Sequence, residues 1–287
     1  MADTFVKGQA LGNDYLVVDP AALSFRLDAA AVRRLCDRHR GIGSDGVLAL
    51  APSARADAGL RILNPDGSEA EKSGNGLRIF ARWLVEEQRV ASDSFTIETP
   101  GGVVRCRLRR SRGQIADITV DMGSATFRSE DIPCAGTPRE VVAEDIEVDG
   151  RTMQITAVGI GNPHCVVFRD QRPTRADLLH LGPALERHPL FPRRTNVQLA
   201  HVEGSDRVRV RVWERGAGET LASGSSACAV AAACVRLGYT GRTVTVVMEG
   251  GDLVIDVGER WEIRMTAPAV LVYRGVLAAA FTVGLGR

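Results

Sequence analysis

Two stretches of this chain follow the same plan and lie 150 positions apart. In each, a strand-like run leads into a turn rich in glycine and serine, and an apolar helical run follows. The turns contain the matching pairs Ser73-Gly74 and Ser223-Gly224. The pairs Gly12-Asn13 and Gly161-Asn162 repeat at an offset of 149. Several matches in one register indicate two homologous halves, and the period is too long for a solenoid.

The repeated turn has the composition of an anion site. Glycines allow the backbone to approach a ligand closely, and serines at a helix start leave hydroxyl and N–H groups free. A single copy, such as Ser223-Gly-Ser-Ser, is equally typical of an ordinary capped helix. Because the stretch occurs twice, we predict that the halves face each other, with Ser73 and Ser223 at matching points.

Length and composition set broad limits. A chain of 287 residues suits two domains of about 130–140 residues each. The net charge of +1 gives no bulk electrostatic reason to expect nucleic acid or a membrane surface as a partner. The six cysteines form no CxxC pair and no metal-ligand spacing. No apolar stretch resembles a signal peptide or a membrane span, so we expect a cytoplasmic protein with free thiols.

The pattern of apolar residues predicts the elements. We expect a hairpin from strands 5–10 and 15–19, a helix from Asp28 to about His39, and a strand at 47–51. Helical runs cover 77–84 and 227–237, and a weak helix over 177–188 is interrupted at Gly182-Pro183. The predicted lobes are residues 1–122 and 123–269. The last strand, from 270 onward, is expected to pair back onto the first lobe.

Four motifs together carry a resemblance to a known family. They begin at Asn64 (Asn-Pro-Asp-Gly-Ser), Ser73 (Ser-Gly-Asn-Gly), Gly161 (Gly-Asn-Pro-His) and Glu214 (Glu-Arg-Gly-Ala-Gly-Glu-Thr). With these motifs the chain resembles diaminopimelate epimerase, which belongs to a wider group of cofactor-independent racemases that includes proline racemase. The resemblance implies an α/β fold of two pseudo-symmetric lobes, each a mostly antiparallel sheet wrapped around a central helix, with the site in the cleft. It also implies an amino-acid substrate, no cofactor or metal, and a homodimer.

The resemblance also implies roles for single residues. Family members place a cysteine before each of the two helix starts, one to deprotonate Cα and the other to reprotonate it; these positions are Ser73 and Ser223. The N–H groups at the helix starts would hold the carboxylate of the reacting centre. The distal end of diaminopimelate would be held by a group of asparagines and an arginine, and other polar residues would flank the reacting centre. These implied binding residues are Gly74, Asn75, Gly224 and Ser225 at the carboxylate, Asn64, Asn162, Asn196 and Arg215 at the distal end, His164 and Glu214 beside the centre, and Asn13 at the cleft edge.

Elementary chemistry agrees with such a site. Inversion of a stereocentre by proton transfer needs an acid and a base on opposite faces of one carbon, and two facing copies of a half-site provide them. Two helix N-termini directed at one carboxylate stabilise the negative charge that develops as the α-proton leaves.

Both expected cysteines are serines here, which changes the energetics. A thiol titrates near pH ~8.5, whereas a hydroxyl lies nearer ~15.7, so forming a free alkoxide would cost ~10 kcal/mol more. A neighbour such as Glu214, His164 or Lys72 could activate a serine or replace it as the base. The family commonly has glutamine where this chain has Gly46, so we also expect a wider distal pocket.

Three functions fit these residues. The first is an amino-acid epimerase, either a natural serine variant or a chain in which both cysteines were replaced. The second is a related isomerase with another proton path, as in the phenazine-pathway isomerases, which share the fold and use a glutamate. The third is a non-catalytic protein that retains the carboxylate cradle. The retained Asn64, Asn162, Asn196 and Arg215 favour a dicarboxylic diamino acid in all three.

Overall fold

The computed structural model describes residues 3–285 as two compact units. The first comprises residues up to Val120 together with those from Ala267 onward, and the second runs from Asp121 to Thr266. No helix among the described residues is both long and apolar enough to cross a membrane.

The first unit is a mixed sheet with two main helices. Its elements are β1 (Thr4–Ala10), β2 (Asn13–Val18), a 3-10 turn (Pro20–Ala22), α1 (Ala29–Cys36), β3 (Val47–Ala51), β4 (Ala58–Leu63), β5 (Glu69–Ala70), α2 (Gly74–Glu86), β6 (Ser94–Thr99), β7 (Gly102–Ser111) and β8 (Gln114–Ser124). The strand order is β1-β2-β3-β4-β6-β7-β8. The pairs β2–β3 and β4–β6 are parallel, the other neighbours are antiparallel, and β5 pairs with the end of β4.

The second unit repeats this topology. Its elements are β9 (Glu144–Val148), β10 (Arg151–Gly159), β11 (Pro163–Phe168), α3 (Arg175–Glu186), β12 (Asn196–Gly204), β13 (Arg207–Glu214), β14 (Gly218–Thr220), α4 (Gly224–Arg236), β15 (Thr243–Met248), β16 (Gly251–Val257) and β17 (Glu262–Ala267). The order β10-β11-β12-β13-β15-β16-β17 has parallel pairs at the same two places, β11–β12 and β13–β15. The two halves therefore share one strand order, as the repeated motifs predict.

The chain ends on the first unit. Strand β18 (Val270–Val276) pairs antiparallel with β1, and the short helix α5 (Ala279–Thr282) follows it. In the second unit, β9 has the matching position beside β10.

Each sheet wraps around one buried helix. Helix α2 contacts β1, β2, β7 and β18, while α4 contacts β10, β11, β12, β13, β15 and β16. From Ala227 to Cys234 every side chain of α4 is buried, and a helix that is apolar on all sides needs such an enclosure. The other two main helices pack on separate cores, α1 through Val32 and Leu35 and α3 through Leu178 and Leu185.

Two helix predictions need correction. Helix α1 ends at Cys36, not near His39, because the Asp37 carboxylate accepts hydrogen bonds from the backbone N–H groups of residues 39 and 40 and closes a turn there. Helix α3 is continuous through Pro183, contrary to the predicted interruption. Its start is fixed by a capping box between Thr174 and Asp177, and only three residues follow the proline.

Candidate functional site

The two serines are placed alike in their own units. Ser73 is the N-cap of α2 with φ −141° and ψ 117°, and Ser223 is the N-cap of α4 with φ −143° and ψ 121°. The next residues, Gly74 and Gly224, begin the helices, so first-turn N–H groups lack intrahelical acceptors. Each helix start is therefore equipped to bind an anion, as the sequence predicts.

The hydroxyl of Ser73 has two described neighbours. Its Oγ accepts a hydrogen bond from the Gly76 N–H at 3.0 Å and so caps the helix. The Tyr15 hydroxyl lies 3.3 Å from the same oxygen. Tyr15 is buried, at 7% exposure. Sequence analysis did not single out this tyrosine, although it stands two residues after Asn13 in a repeated motif.

The space beside Gly46 is filled, which corrects the expectation of a wider pocket there. A Cβ added to Gly46 would lie 2.6 Å from the Leu63 carbonyl oxygen and 2.8 Å from Cε1 of Tyr15. The tyrosine ring thus occupies room that a side chain at position 46 would need.

Asn13 and Asn75 are joined in one hydrogen-bond chain. The Asn75 amide donates to Asn13 Oδ1 at 3.3 Å, and Asn13 donates to the Asp45 carboxylate at 2.8 Å. The Arg78 guanidinium donates to Asn75 Oδ1 at 2.7 Å and is completely buried. Sequence periodicity missed Arg78, because a charged residue on a helix normally indicates a solvent-facing position.

Asn64 lies in the turn between β4 and β5. Its side-chain amide donates to Ser68 Oγ at 2.9 Å, and its backbone N–H donates to the Ser68 carbonyl at 2.8 Å. These two bonds hold Asn64, the first residue of the motif that precedes Ser73, against Ser68, the last residue of that motif.

Ser223 differs from Ser73 in the direction of its hydroxyl. It makes no side-chain cap bond, and the Glu214 carboxyl group lies near its hydroxyl. Burial raises the pKa of Glu214 above its usual value, although the nearby hydroxyls of Ser223 and Thr220 partly offset that effect. A carboxylate near a serine hydroxyl can serve as its proton acceptor.

His164 is buried and fixed on both sides of its ring. Nδ1 lies 3.0 Å from the Gln198 amide nitrogen, and Nε2 lies 2.9 Å from Asn162 Oδ1. With the Gln198 amide as donor, Nδ1 accepts and Nε2 donates to Asn162. Complete burial, helped by the positive charge of Arg215, lowers the pKa of His164 to about 3. His164 is therefore neutral and orients Asn162, which argues against the role of base that we considered for it.

Asn196 and Arg215 are linked through the backbone. The buried Asn196 side chain accepts from the Arg215 N–H at 2.9 Å and donates to the Pro163 carbonyl at 2.9 Å. The Arg215 side chain is exposed, and its Nη1 donates to the Arg193 carbonyl at 3.3 Å. Asn196 thus positions the loop, while the Arg215 guanidinium remains exposed.

Ser225 and Ser226 follow Gly224 in the first turn of α4. Ser225 is partly exposed, whereas Ser226 is fully buried and accepts a hydrogen bond from Gln198 at 2.9 Å. Neither Gln198 nor Ser226 was predicted. A comparison of the two halves could have drawn attention to Ser226, because the corresponding residue of the first half, Gly76, has no side chain.

Three cysteines lie in the elements that follow these motifs. Cys228 and Cys234 are buried in α4, and burial raises the pKa of Cys234 to about 12. Cys165 is buried within β11, where burial raises its pKa. Among the described residues, no group of three or more His, Cys, Asp or Glu side chains is arranged to hold a metal ion.

Known proteins resemble this chain over most of its length. The family model for diaminopimelate epimerase matches residues 5–128 and 156–272. A diaminopimelate epimerase of Desulfitobacterium hafniense is 44% identical, with 95% of this chain and 97% of the relative covered. A protein named diaminopimelate epimerase 2, from Nostoc sp., is 45% identical, with 96% and 95% covered.

Solved structures agree on the fold. A probable proline racemase from Agrobacterium radiobacter superposes with a TM-score of 0.69 at 16% identity, with 96% of this chain and 93% of that chain covered. The α/β architecture that the resemblance implies is confirmed. Taken with the motif residues at both helix starts, the matches over nearly the whole sequence show that this chain belongs to the diaminopimelate epimerase family.

Proposed function

We propose that this protein interconverts LL- and meso-diaminopimelate by proton transfer at Cα, without a cofactor. The observation that carries the proposal is the pair of equivalent serine N-caps, Ser73 and Ser223, in a chain of this family. The ligand is a free amino acid. We also propose a cytoplasmic location and a homodimer, as the resemblance implies.

In the proposed mechanism the two serines serve opposite faces of Cα. Ser223 takes the α-proton while its own hydroxyl proton passes to Glu214, so that no free alkoxide forms on that side. Ser73 delivers a proton to the other face. The raised pKa of Glu214 supports this assignment, because a base whose pKa lies nearer the working pH accepts the proton more effectively than an ordinary glutamate.

The α-carboxylate is held by backbone groups. N–H groups at Gly74, Asn75, Gly224 and Ser225 stabilise the enediolate-like charge that develops when the α-proton leaves. The buried charge of Arg78 strengthens the positive potential at the start of α2 and fixes the Asn75 side chain.

The distal end of the substrate requires groups for a carboxylate and an ammonium. We assign the carboxylate to the Arg215 guanidinium, whose planar donors fit it. The side-chain oxygens of Asn64 and Asn162 are suited to the ammonium, and Asn196 acts by holding the Arg215 backbone. Asn13 contributes through its bond to Asn75.

The test is solvent exchange. LL-diaminopimelate is incubated with the protein in deuterated water, and the α-proton signal and the epimer ratio are followed by NMR. We expect loss of the α-proton signal together with appearance of meso-diaminopimelate carrying deuterium. Binding without exchange would instead identify a non-catalytic carboxylate-binding protein.

One alternative has direct support, namely that Glu214 itself removes the α-proton. It is favoured by the partial burial and raised pKa of this carboxyl group. Ser223→Ala distinguishes the two mechanisms, because it abolishes exchange if the serine carries the proton and leaves substantial exchange if Glu214 acts alone. Glu214→Gln lowers exchange in both.

A further inference from the structure

Tyr15 occupies in the first half the place that His164 occupies in the second. The motifs Gly12-Asn-Asp-Tyr and Gly161-Asn-Pro-His align at the repeat offset of 149. The two residues also have equivalent neighbours in the sheet, because β2 pairs with β3 as β11 pairs with β12. His164 has both ring nitrogens bonded within its own unit, whereas the Tyr15 hydroxyl lies 3.3 Å from Ser73 Oγ.

The sequence provides the room that this tyrosine needs. At the repeat position of Asn196, the first half has Gly46. A Cβ there would press on the Tyr15 ring at 2.8 Å, so the glycine permits the ring position from which the hydroxyl reaches Ser73. At the repeat position of Glu214 stands Asn64, whose amide cannot accept a proton as a carboxylate does.

We propose that Tyr15 is the proton-relay partner of Ser73, as Glu214 is of Ser223; this rests on the proposed epimerisation. When Ser73 gives its hydroxyl proton to Cα, the Tyr15 phenol passes its own proton to the serine oxygen. The negative charge of the enediolate then ends on the phenolate, and the serine is neutral again. A phenol titrates near pH ~10, far below the ~15.7 of a hydroxyl, so the relay avoids a free alkoxide.

A double-mutant cycle tests the relay. Tyr15→Phe keeps the ring beside Gly46 and removes only the hydroxyl, so the fold is preserved. In the unmodified chain we expect it to slow α-proton exchange of diaminopimelate by about 100-fold or more. In the Ser73→Cys background we expect less than about 5-fold, because a thiol ionises without a partner.

Equal losses in both backgrounds would show that Tyr15 has only a structural role, and no loss in either would show that its hydroxyl is irrelevant. A second measurement does not depend on turnover. The thiol introduced by Ser73→Cys is alkylated with iodoacetamide over a range of pH, and the modified peptide is quantified. Tyr15→Phe should shift its reactivity to higher pH; an unchanged profile would overturn the contact. If no form exchanges the α-proton, the proposed function fails while this result still decides the contact.

Discussion

The partly buried carboxyl group of Glu214 affects both the proposed proton transfer and the stability of the fold. Because folding raises its pKa, the fold favours the protonated form. The contribution of this group to stability is therefore complete below its unfolded pKa and is lost as pH rises through the folded pKa. The same shift moves the activity that depends on the carboxylate form to higher pH than an ordinary glutamate would give.

We therefore predict that Glu214→Gln raises the melting temperature at pH 7, with a gain that shrinks towards pH 4. Glutamine keeps the shape of the protonated acid but cannot ionise, so it has no cost at neutral pH. Thermal unfolding of both forms across this range measures the difference. A gain that grows as pH falls would show that the pKa is lowered in the folded protein.

The proposed role of Arg215 predicts which amino acids the protein binds. Arg215→Ala should weaken binding of diaminopimelate by about 1.5–3 kcal/mol, the usual contribution of a hydrogen bond to a charged group. Binding of alanine, which has no distal carboxylate, should change little. Calorimetry measures both ligands, and Arg193→Ala is a matched control because it removes a neighbouring exposed guanidinium. Equal losses for both ligands would remove Arg215 from the distal site.

A further prediction concerns the N-terminal caps of helices α2 and α4. Ser73→Ala removes a cap bond from α2 and should cost about 1 kcal/mol, whereas Ser223→Ala removes no cap bond from α4. Amide hydrogen exchange measures the protection of each backbone N–H group directly. The amide of Gly76 should lose protection in Ser73→Ala, whereas the exchange rate of the Ser226 amide should not change in Ser223→Ala. Loss of protection at both would mean that both serines cap.

Helices α2, α3 and α4 show what could and could not be predicted from the sequence. The repeat placed Ser73 and Ser223 at equivalent helix starts because turn composition and apolar runs are local signals. It could not give the surroundings of each hydroxyl, because these include side chains far away in the sequence, such as Tyr15 beside Ser73. Helix α3 was predicted to be interrupted because Gly182-Pro183 ordinarily breaks a helix. Gly182 is instead required by packing, since a Cβ there would lie 2.7 Å from the Trp213 ring.

The internal repeat explains why the two halves share one strand order. The halves differ in the residues that surround their helix starts. Corresponding positions hold Tyr15 and His164, Asn64 and Glu214, and Gly76 and Ser226. One fold thus supplies two helix starts with unlike neighbours. Unlike neighbours suit a reaction in which one side removes a proton and the other returns it.

The role of the two serines is tested most directly by the rate of α-proton exchange on diaminopimelate in four forms: the unmodified chain, Ser73→Cys, Ser223→Cys and the double variant. Because thiols ionise far more readily than hydroxyls, the double variant should exchange the α-proton faster than the unmodified chain by orders of magnitude. Each single variant should gain less, because transfer needs a competent group on each face. An unmodified chain that already exchanges the α-proton as fast as the double variant would contradict this role, because the serines would then not be the groups that limit proton transfer.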